Sequence, residues 1–424
     1  MELSDSKSEN LGKPEKPALP KHMIVKVDFY DDDQKELFKK NNYPLKVDSI
    51  VSEKVAINTN EFLTYLLFTE QKKAPGFRTF TDFRKRMPKS YELIRDYLEF
   101  DEEKMRTRFI GKEMDKNLTE RIGVALSLCT LNKIHNLMEA DWKLIPISST
   151  EKTLDFYYVA VENNEFIMVE SKGSTAENNQ EKSTSISNQK RSIEEKKKAV
   201  EFNNKNRLSN YKALAYGIIS VIDNRKDTLP QVWLVDPFAE PLEMEPRKFK
   251  LLARLYFYWR SLRAISPSST LLHALINRIE TLETIDNYVD LDGSILLDRK
   301  GKEMIIQPSS FSTKSVIGNN KIIGRVYPFD NNHLFFMGFP FNVSELLVNQ
   351  NFKEIIDYKE EFTKMKSRMS VTCRIRSNKK KLYQLPDSIR CIFIDKKEEY
   401  VEFELKGDLY SLSSGRVFGL LDFY

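Results

Sequence analysis

The chain is poor in the residues that build the commonest compact reactive sites. It has only three cysteines, Cys129, Cys373 and Cys391. Their odd number and wide separation argue against a disulfide framework and fit a reducing cytosol. Four histidines and no Cys-x-x-Cys pair exclude a zinc finger of the usual spacing. His135 follows Cys129 by six residues on one helical stretch, hence off its face, and makes a poor dyad with it. His22, His273 and His333 have no partner pattern. No run approaches the ~20 apolar residues that a membrane helix needs, so no membrane partner is expected. The N-terminal residues lack the apolar core of a signal peptide, and a cytoplasmic protein is expected. An excess of one charge is also missing, since 67 Lys and Arg face 62 Asp and Glu for a net +5. Any nucleic-acid surface must then come from local clusters rather than bulk charge.

What is present describes a globular chain, 41% hydrophobic and 30% charged. Its 424 residues exceed one ordinary core, and about two or three domains are expected. Residues 1–21 are polar, with a Lys-Pro-Glu-Lys-Pro stretch, and read as a disordered tail. Residues 22–110 read as an N-terminal α+β module: a strand at 23–30, a short helix at 32–40, further strand at 45–57, and helices at 60–68 and 89–100. Within it, residues 72–86 interleave Lys and Arg with Phe77, Phe80 and Phe83. Such a mixture grips nucleic acid through phosphate contacts and stacking, or anchors a solvated loop to the core. A core follows at 111–245, then a helical connector at 246–292. Short β-rich runs recur over 293–424 with one helical interruption near 343–368, which predicts a β-rich C-terminal domain. The basic patch Arg374, Arg376 and Lys379–Lys381 reads as a nucleic-acid contact or, more simply, a solvated turn.

Residues 154–174 stand out within the core. Two β-rich runs, 154–161 and 166–172, flank a turn at Glu162, Asn163, Asn164 and Glu165. Folding the hairpin there sets Asp155 opposite Lys172 and Tyr157 opposite Glu170. Alternation then puts Asp155, Glu170 and Lys172 on one face of an otherwise apolar surface, with Ser171 on the other. Three charges ending an apolar strand are costly unless they serve one another or a metal. Upstream, Thr119 reads as an N-cap with Glu120 in the first turn of a helix reaching about Met138. Glu120, Gly123, Val124, Ser127, Leu131 and Ile134 share its sheet-facing stripe, and Gly123 permits a close approach. A helix is expected over 189–203, carrying Lys190, Arg191, Lys196, Lys197 and Lys198, and another over 207–222. Residues 142–147 and 231–236 read as strands.

This ordered set resembles the PD-(D/E)XK nuclease superfamily, whose pattern is a helix Glu, an acid at the start of one strand, and Glu-x-Lys on the next. Glu120, Asp155 and Glu170-Ser171-Lys172 stand at those positions. The resemblance implies a restriction-endonuclease-like α/β/α core. It also implies a Mg²⁺-dependent nuclease acting on DNA, with Mn²⁺ as a substitute metal. Asp155, Glu170, Lys172 and Glu120 would be catalytic. Asp155, Glu170, Glu120 and the Ser171 carbonyl would hold the metal, since Mg²⁺ takes hard oxygen ligands. The metal lowers the pKa of a bound water and polarises the phosphoryl oxygen, and Lys172 stabilises the charge that develops. Lys190, Arg191 and Lys197 are candidate nucleic-acid contacts. Some branches of the family carry Gln-x-x-x-Tyr downstream, and Arg207 with Tyr211 lacks the Gln. Nucleases of this kind with unfamiliar flanking domains resemble effectors of prokaryotic defence against phage or foreign DNA. A protein partner, a regulatory subunit and a homo-oligomer all remain open. Two other readings stand beside this one: an RNA nuclease, and an inactive nucleic-acid-binding or scaffolding protein on the same fold.

Overall fold

The alternating run at the start of the N-terminal module becomes a strand with every second residue buried. This is β1 (His22–Phe29), which sends Met23, Val25, Val27 and Phe29 into the core. The structure, a computed structural model, describes residues 19–40, 46–68, 80–144, 156–160, 165–204, 211–236, 239–242, 245–265, 270–297, 301, 313–317, 320–329, 333–361, 363–375, 391–395 and 398–423. Helix α1 (Asp32–Lys40) follows β1, with acids in its first turn and lysines in its last, as the helix dipole favours. The strand expected at 45–57 is instead mostly helix, α2 (Lys46–Glu53), with only β2 (Val55–Asn58) extended. Then come α3 (Thr59–Phe68), α4 (Phe80–Tyr97) and the small hairpin β3 (Leu98–Asp101) and β4 (Lys104–Thr107). Of the basic aromatic stretch, residues 72–79 lie outside the described residues and Phe80 begins α4.

The middle of the chain is a mixed α/β layer. Helix α5 (Lys116–His135) is capped by Asp115, whose carboxylate accepts from Leu118 N at 2.8 Å. The cap is therefore not Thr119, whose hydroxyl donates to the Asp115 carbonyl inside the helix. Glu120 consequently sits beyond the first turn. At the other end Asn136 closes α5 in the left-handed conformation, φ 56°. Strands β5 (Lys143–Leu144), β6 (Phe156–Ala160) and β7 (Glu165–Thr175) form an antiparallel meander. Helix α6 (Thr184–Asn204) crosses over to β8 (Tyr211–Ile222), parallel to β7. Strand β9 (Gln231–Val235) returns antiparallel, and β10 (Ala239–Leu242) pairs with the start of β8.

The expected helix at 207–222 is thus a strand. Residues 214–223 are buried without alternation, because α5 covers one face of β8 and α6 the other. A continuous apolar run of that kind reads equally as buried helix or buried strand from periodicity alone. The β6–β7 register also differs from the expectation. Tyr157 pairs with Met168 rather than Glu170, and Phe156 with Val169. A shift by two positions preserves which residues share a face, so the facing argument survives while the opposed pairs change.

Among the described residues the sheet runs β2-β1-β9-β8-β7-β6-β5, with β10 beside β8 off this path and β1 parallel to β9. The N-terminal segment is therefore built into the central layer rather than standing apart from it. Helices α7 (Pro246–Ile265) and α8 (Thr270–Thr284) pack on one another, α7 opening with proline at its first position. The expected β-rich C-terminal region follows, made of β11 (Thr313–Ile317), β12 (Asn320–Pro328), β13 (His333–Pro340), β14 (Thr363–Ile375), β15 (Cys391–Asp395), β16 (Glu398–Ser411) and β17 (Val417–Phe423). They form an antiparallel sheet, β11-β12-β13-β17-β16-β14, that curls until β11 lies near β14. Helices α9 (Phe341–Asn349) and α10 (Phe352–Asp357) interrupt it, and β14 begins inside the segment expected to be helical. One hydrophobic core runs from Met23 to Phe418 through both sheets. Among the described residues no helix is long and apolar enough to cross a membrane.

A polar network sits inside this core. The buried Glu61 accepts from Asn132 Nδ2, which also reaches Tyr65 Oη at 2.8 Å, while Trp142 Nε1 donates to Asn132 Oδ1 at 2.9 Å. Burial pushes the Glu61 carboxyl up to about 7, against the pull of the Asn132 hydrogen bond. Burial likewise pushes Glu139 up to about 7, against the pull of Arg416. Both folded pKa values lie above the ordinary carboxyl value of 4.5. Between those limits the folded chain binds protons that the unfolded chain has released. The stability contributed by these carboxyls is complete at low pH and is lost as pH rises through about 7. Glu61→Gln keeps an acceptor for Asn132 and removes one of the two titrations. Denaturant unfolding at about pH 8 is expected to show the variant more stable than the wild type, by at most roughly 3 kcal/mol. The wild-type loss between about pH 5 and 8 should fall by about half. An unchanged pH profile would refute this assignment.

Candidate active site

Strand β7 is the element that arranges the charged residues. Its alternation puts Glu170 and Lys172 on the α6 side of the sheet and Ser171 and Gly173 on the α5 side. On the α5 side the packing is unusually close. A β-carbon at Gly123 would overlap the Gly173 backbone, and one at Gly173 would overlap the Thr119 carbonyl. The close approach expected of Gly123 is thus realised, and its counterpart on the strand is a second glycine. Around it, Ser127 Oγ donates to the Gly123 carbonyl at 2.7 Å and lies 2.7 Å from Ser171 Oγ. Since Ser127 has one proton, the Ser171 hydroxyl donates to it. The Ser171 side chain therefore fastens helix to sheet, which leaves only its carbonyl for the ligand role expected of it.

On the α6 side the Glu170 carboxylate is completely buried, 0% exposed. Lys172 Nζ stands 2.8 Å from Oε1, an ion pair by distance without hydrogen-bond alignment. Lys196 of α6 donates to Oε2. A buried carboxylate without counter-charge would be strongly destabilising, and here two ammonium groups from different elements bracket it. Gln189, seven residues earlier on α6, donates from Nε2 to the Gly173 carbonyl at 3.2 Å and ties the helix to the end of β7. Lys196 and Gln189 were not singled out as site residues by sequence reasoning. The available signal was the count of lysines on α6, which does not say which one turns inward.

The remaining candidates distribute differently. Asp155 lies outside the described residues; in sequence it directly precedes β6. Glu120 is exposed, on the helix that packs against the opposite sheet face from Glu170 and Lys172. Lys190 forms ion pairs with Asp31 Oδ2 at 3.1 Å and Glu194 Oε1 at 3.2 Å, and also sits over the Tyr30 ring. Arg191 is exposed. Lys197 is a corrected expectation. It is only 4% exposed, and its ammonium donates to the Val235 carbonyl at 3.1 Å. Burial lowers its pKa to about 7, against the attraction of Asp236, Glu194 and Glu170. Such a group is part of the wall and is not a surface phosphate contact. The basic patch at Lys379–Lys381 lies outside the described residues.

As a chemical arrangement, the site offers one fixed carboxylate and two ammoniums that reach towards solvent beside it. It can neutralise an anion, hold a hard cation on the carboxylate, or do both. Among the described residues no group of three acidic, histidine or cysteine side chains is placed to hold a metal, so those residues contribute one carboxylate of a prospective metal site. Compared with models of protein families, with curated proteins and with solved structures, the chain matches none of them.

Proposed function

We propose that the chain is a metal-dependent nuclease that hydrolyses phosphodiester bonds of DNA, built on the PD-(D/E)XK scheme in a restriction-endonuclease-like core. The observation that carries this reading is the buried Glu170 carboxylate bracketed by Lys172 and Lys196 at the end of an apolar strand. The order of elements supports it: a helix close against the sheet, an antiparallel hairpin, Glu-x-Lys on its second strand, then a crossover helix to a parallel strand.

Mg²⁺ is the metal this reading takes, with Mn²⁺ as a substitute. The donor set fits in part: Glu170 supplies a hard oxygen, and Asp155, the residue before β6, is the second carboxylate of the scheme. Bound there, the metal would supply Lewis-acid activation of water and phosphate. Lys172 orients the nucleophile and neutralises the phosphoryl charge, while the buried Glu170 fixes Lys172 in place. Glu120, exposed on the far-face helix, is assigned no part. A role in defence against phage or foreign DNA, and regulation by a partner through the C-terminal sheet, belong to this proposal as its biological setting.

The test is cleavage of plasmid, linear and single-stranded DNA, and of RNA, in Mg²⁺, Mn²⁺ or EDTA, with the wild type beside Asp155→Ala. Cutting of DNA in either metal, absent in EDTA and reduced at least about 100-fold in the variant, is expected. Cutting confined to RNA would move the substrate class and leave the site standing. Cutting that persists in EDTA or in the variant would remove the assignment.

A further inference from the structure

We infer that the foot of the β3–β4 hairpin, with Arg106, Arg108 and Phe109, is a second contact for the DNA duplex and grips it beside the phosphate to be cut. The inference rests on the nuclease reading and adds a binding surface that the Glu-x-Lys strand does not contain. Three observations carry it. First, this arm is tied to the sheet edge where that strand ends. Gly111 N donates to Thr175 Oγ1 at 3.2 Å, and Thr107 N to the Asp223 carbonyl at 2.9 Å. Thr175 closes β7 just beyond Lys172, about 10 Å further along the strand. Second, an aromatic ring is held out in solvent. Phe109 is 37% exposed, yet its backbone is fixed at both polar groups. Its N–H donates to Thr107 Oγ1 at 3.2 Å, and that hydroxyl donates back to the Phe109 carbonyl at 2.8 Å. Thr107 is itself buried, and the Phe109 ring leans on Tyr97 with centroids 5.1 Å apart. Third, two guanidiniums meet at one carboxylate. Arg106 is the cross-strand neighbour of Glu99 and pairs with its Oε2, while Arg108, on the same face of β4, approaches Oε1 from Nε at 3.0 Å. The arginine side chains keep 23% and 48% exposure. The exposed acids of the hairpin, Asp101, Glu102 and Glu103, lie at its opposite end, in and beside the turn.

A guanidinium carries five N–H donors in a rigid fork, and a phosphate takes two of them in parallel. Glu99 engages only part of the donors of Arg106 and Arg108 and sets where both forks stand. A ring fixed beside two such cations supplies apolar surface for a sugar or the face of a base. Phosphate contacts and an aromatic platform together hold nucleic acid without reading its sequence. The two contributions separate by salt. Each phosphate contact releases counter-ions and adds about 0.9 to the slope of log affinity against log salt, whereas a stacking contact leaves the slope unchanged.

The experiment is fluorescence anisotropy of a labelled duplex oligonucleotide with the full chain, over a salt series in Ca²⁺. The proteins are wild type, Arg106→Gln, Arg108→Gln, Arg108→Lys, Phe109→Ala, and Lys104→Gln as a control at the far end of the same hairpin, where Lys104 pairs with Asp227. Each arginine-to-glutamine variant is expected to bind about 10-fold more weakly at moderate salt and to lose about 0.9 of slope. Arg108→Lys should keep the slope. Phe109→Ala should bind about 10-fold more weakly with the wild-type slope. Lys104→Gln should match wild type in both. Melting temperatures are measured alongside. Each single variant leaves Glu99 with one arginine, and if Arg106→Gln fails to fold, Arg108→Gln at the more exposed position decides. Arginines that serve only to hold the hairpin would lower the melting temperature and leave the salt slope unchanged, and that result overturns the inference. The two proposals fail separately. Wild-type cutting with unchanged slopes in the variants removes the hairpin contact alone. A wild type that binds through the arginines and cuts nothing removes the nuclease reading alone, and one that neither binds nor cuts removes both.

Discussion

Glu170→Gln is expected to reduce metal-dependent cleavage by about 1,000-fold or more, and Lys172→Met by a comparable factor. The glutamine is nearly isosteric and keeps an oxygen towards one lysine, so packing at a completely buried position is preserved. What changes is charge. In the wild type, one carboxylate is shared by Lys172 and Lys196. In Glu170→Gln the same two ammoniums face a neutral amide and repel one another, so each turns towards solvent. The loss therefore has two components: a ligand for the metal disappears, and the lysines lose the anchor that sets their positions. Lys172→Met separates these, because it keeps the carboxylate and removes only the charge that would meet the phosphoryl oxygen. Single-turnover rates at saturating substrate should fall in both variants, with thermal unfolding still cooperative. Rates within about 10-fold of wild type for Glu170→Gln would show that the carboxylate is a structural group and that the chemistry lies elsewhere.

Much of this site was legible because its logic is local. Glu170 and Lys172 are two residues apart on one strand, and alternation alone puts them on one face. The need for a glycine under the helix was also readable at Gly123, since only a close approach explains it there. What could not be read came from tertiary partners. Gly173 has no signal of its own, and its role appears only when α5 lies against it. Lys196 and Lys197 are adjacent, equally charged residues on one helix, yet one reaches Glu170 and the other a backbone carbonyl. The difference is set by helix rotation against the sheet. Strand β8 escaped for a related reason: burial on both faces erases the period by which strands are recognised. The register of the hairpin differs by two positions from the one expected, and an even shift leaves the facing pattern intact. The continuation of the central sheet into β1 and β2 depends on the parallel pairing of β1 with β9, roughly two hundred residues apart, and no local pattern specifies it.

The largest effect on stability is expected away from the site, at the seam between the two sheets. Arg254 of α7 is buried and forms an ion pair from Nε to Asp141 Oδ1 at 2.7 Å. Its Nη1 donates to the Ile355 and Tyr358 carbonyls, both at 2.8 Å, around the end of α10. Asp141 in turn accepts from Met138 N at 3.0 Å, which holds the turn after α5. One guanidinium thus joins the central layer, α7 and the end of α10 within the C-terminal region. Its planar fork of donors meets partners in three directions, which lysine could not do. Arg254→Met fills similar space but leaves Asp141 charged in the core and two carbonyls without this donor, at a cost of about 3–5 kcal/mol. Asp141→Asn removes the stranded charge and keeps an acceptor for Met138, so the double variant should regain part of the loss. Non-additivity of more than about 1 kcal/mol in the double-mutant cycle is the expected signature. Limited proteolysis supplies a second readout, with cleavage near residues 358–362 faster in Arg254→Met than in wild type. A loss below about 1 kcal/mol with additive effects would mean that apolar packing across the seam, including Tyr258 against Phe339, holds the two sheets together without the ion pair.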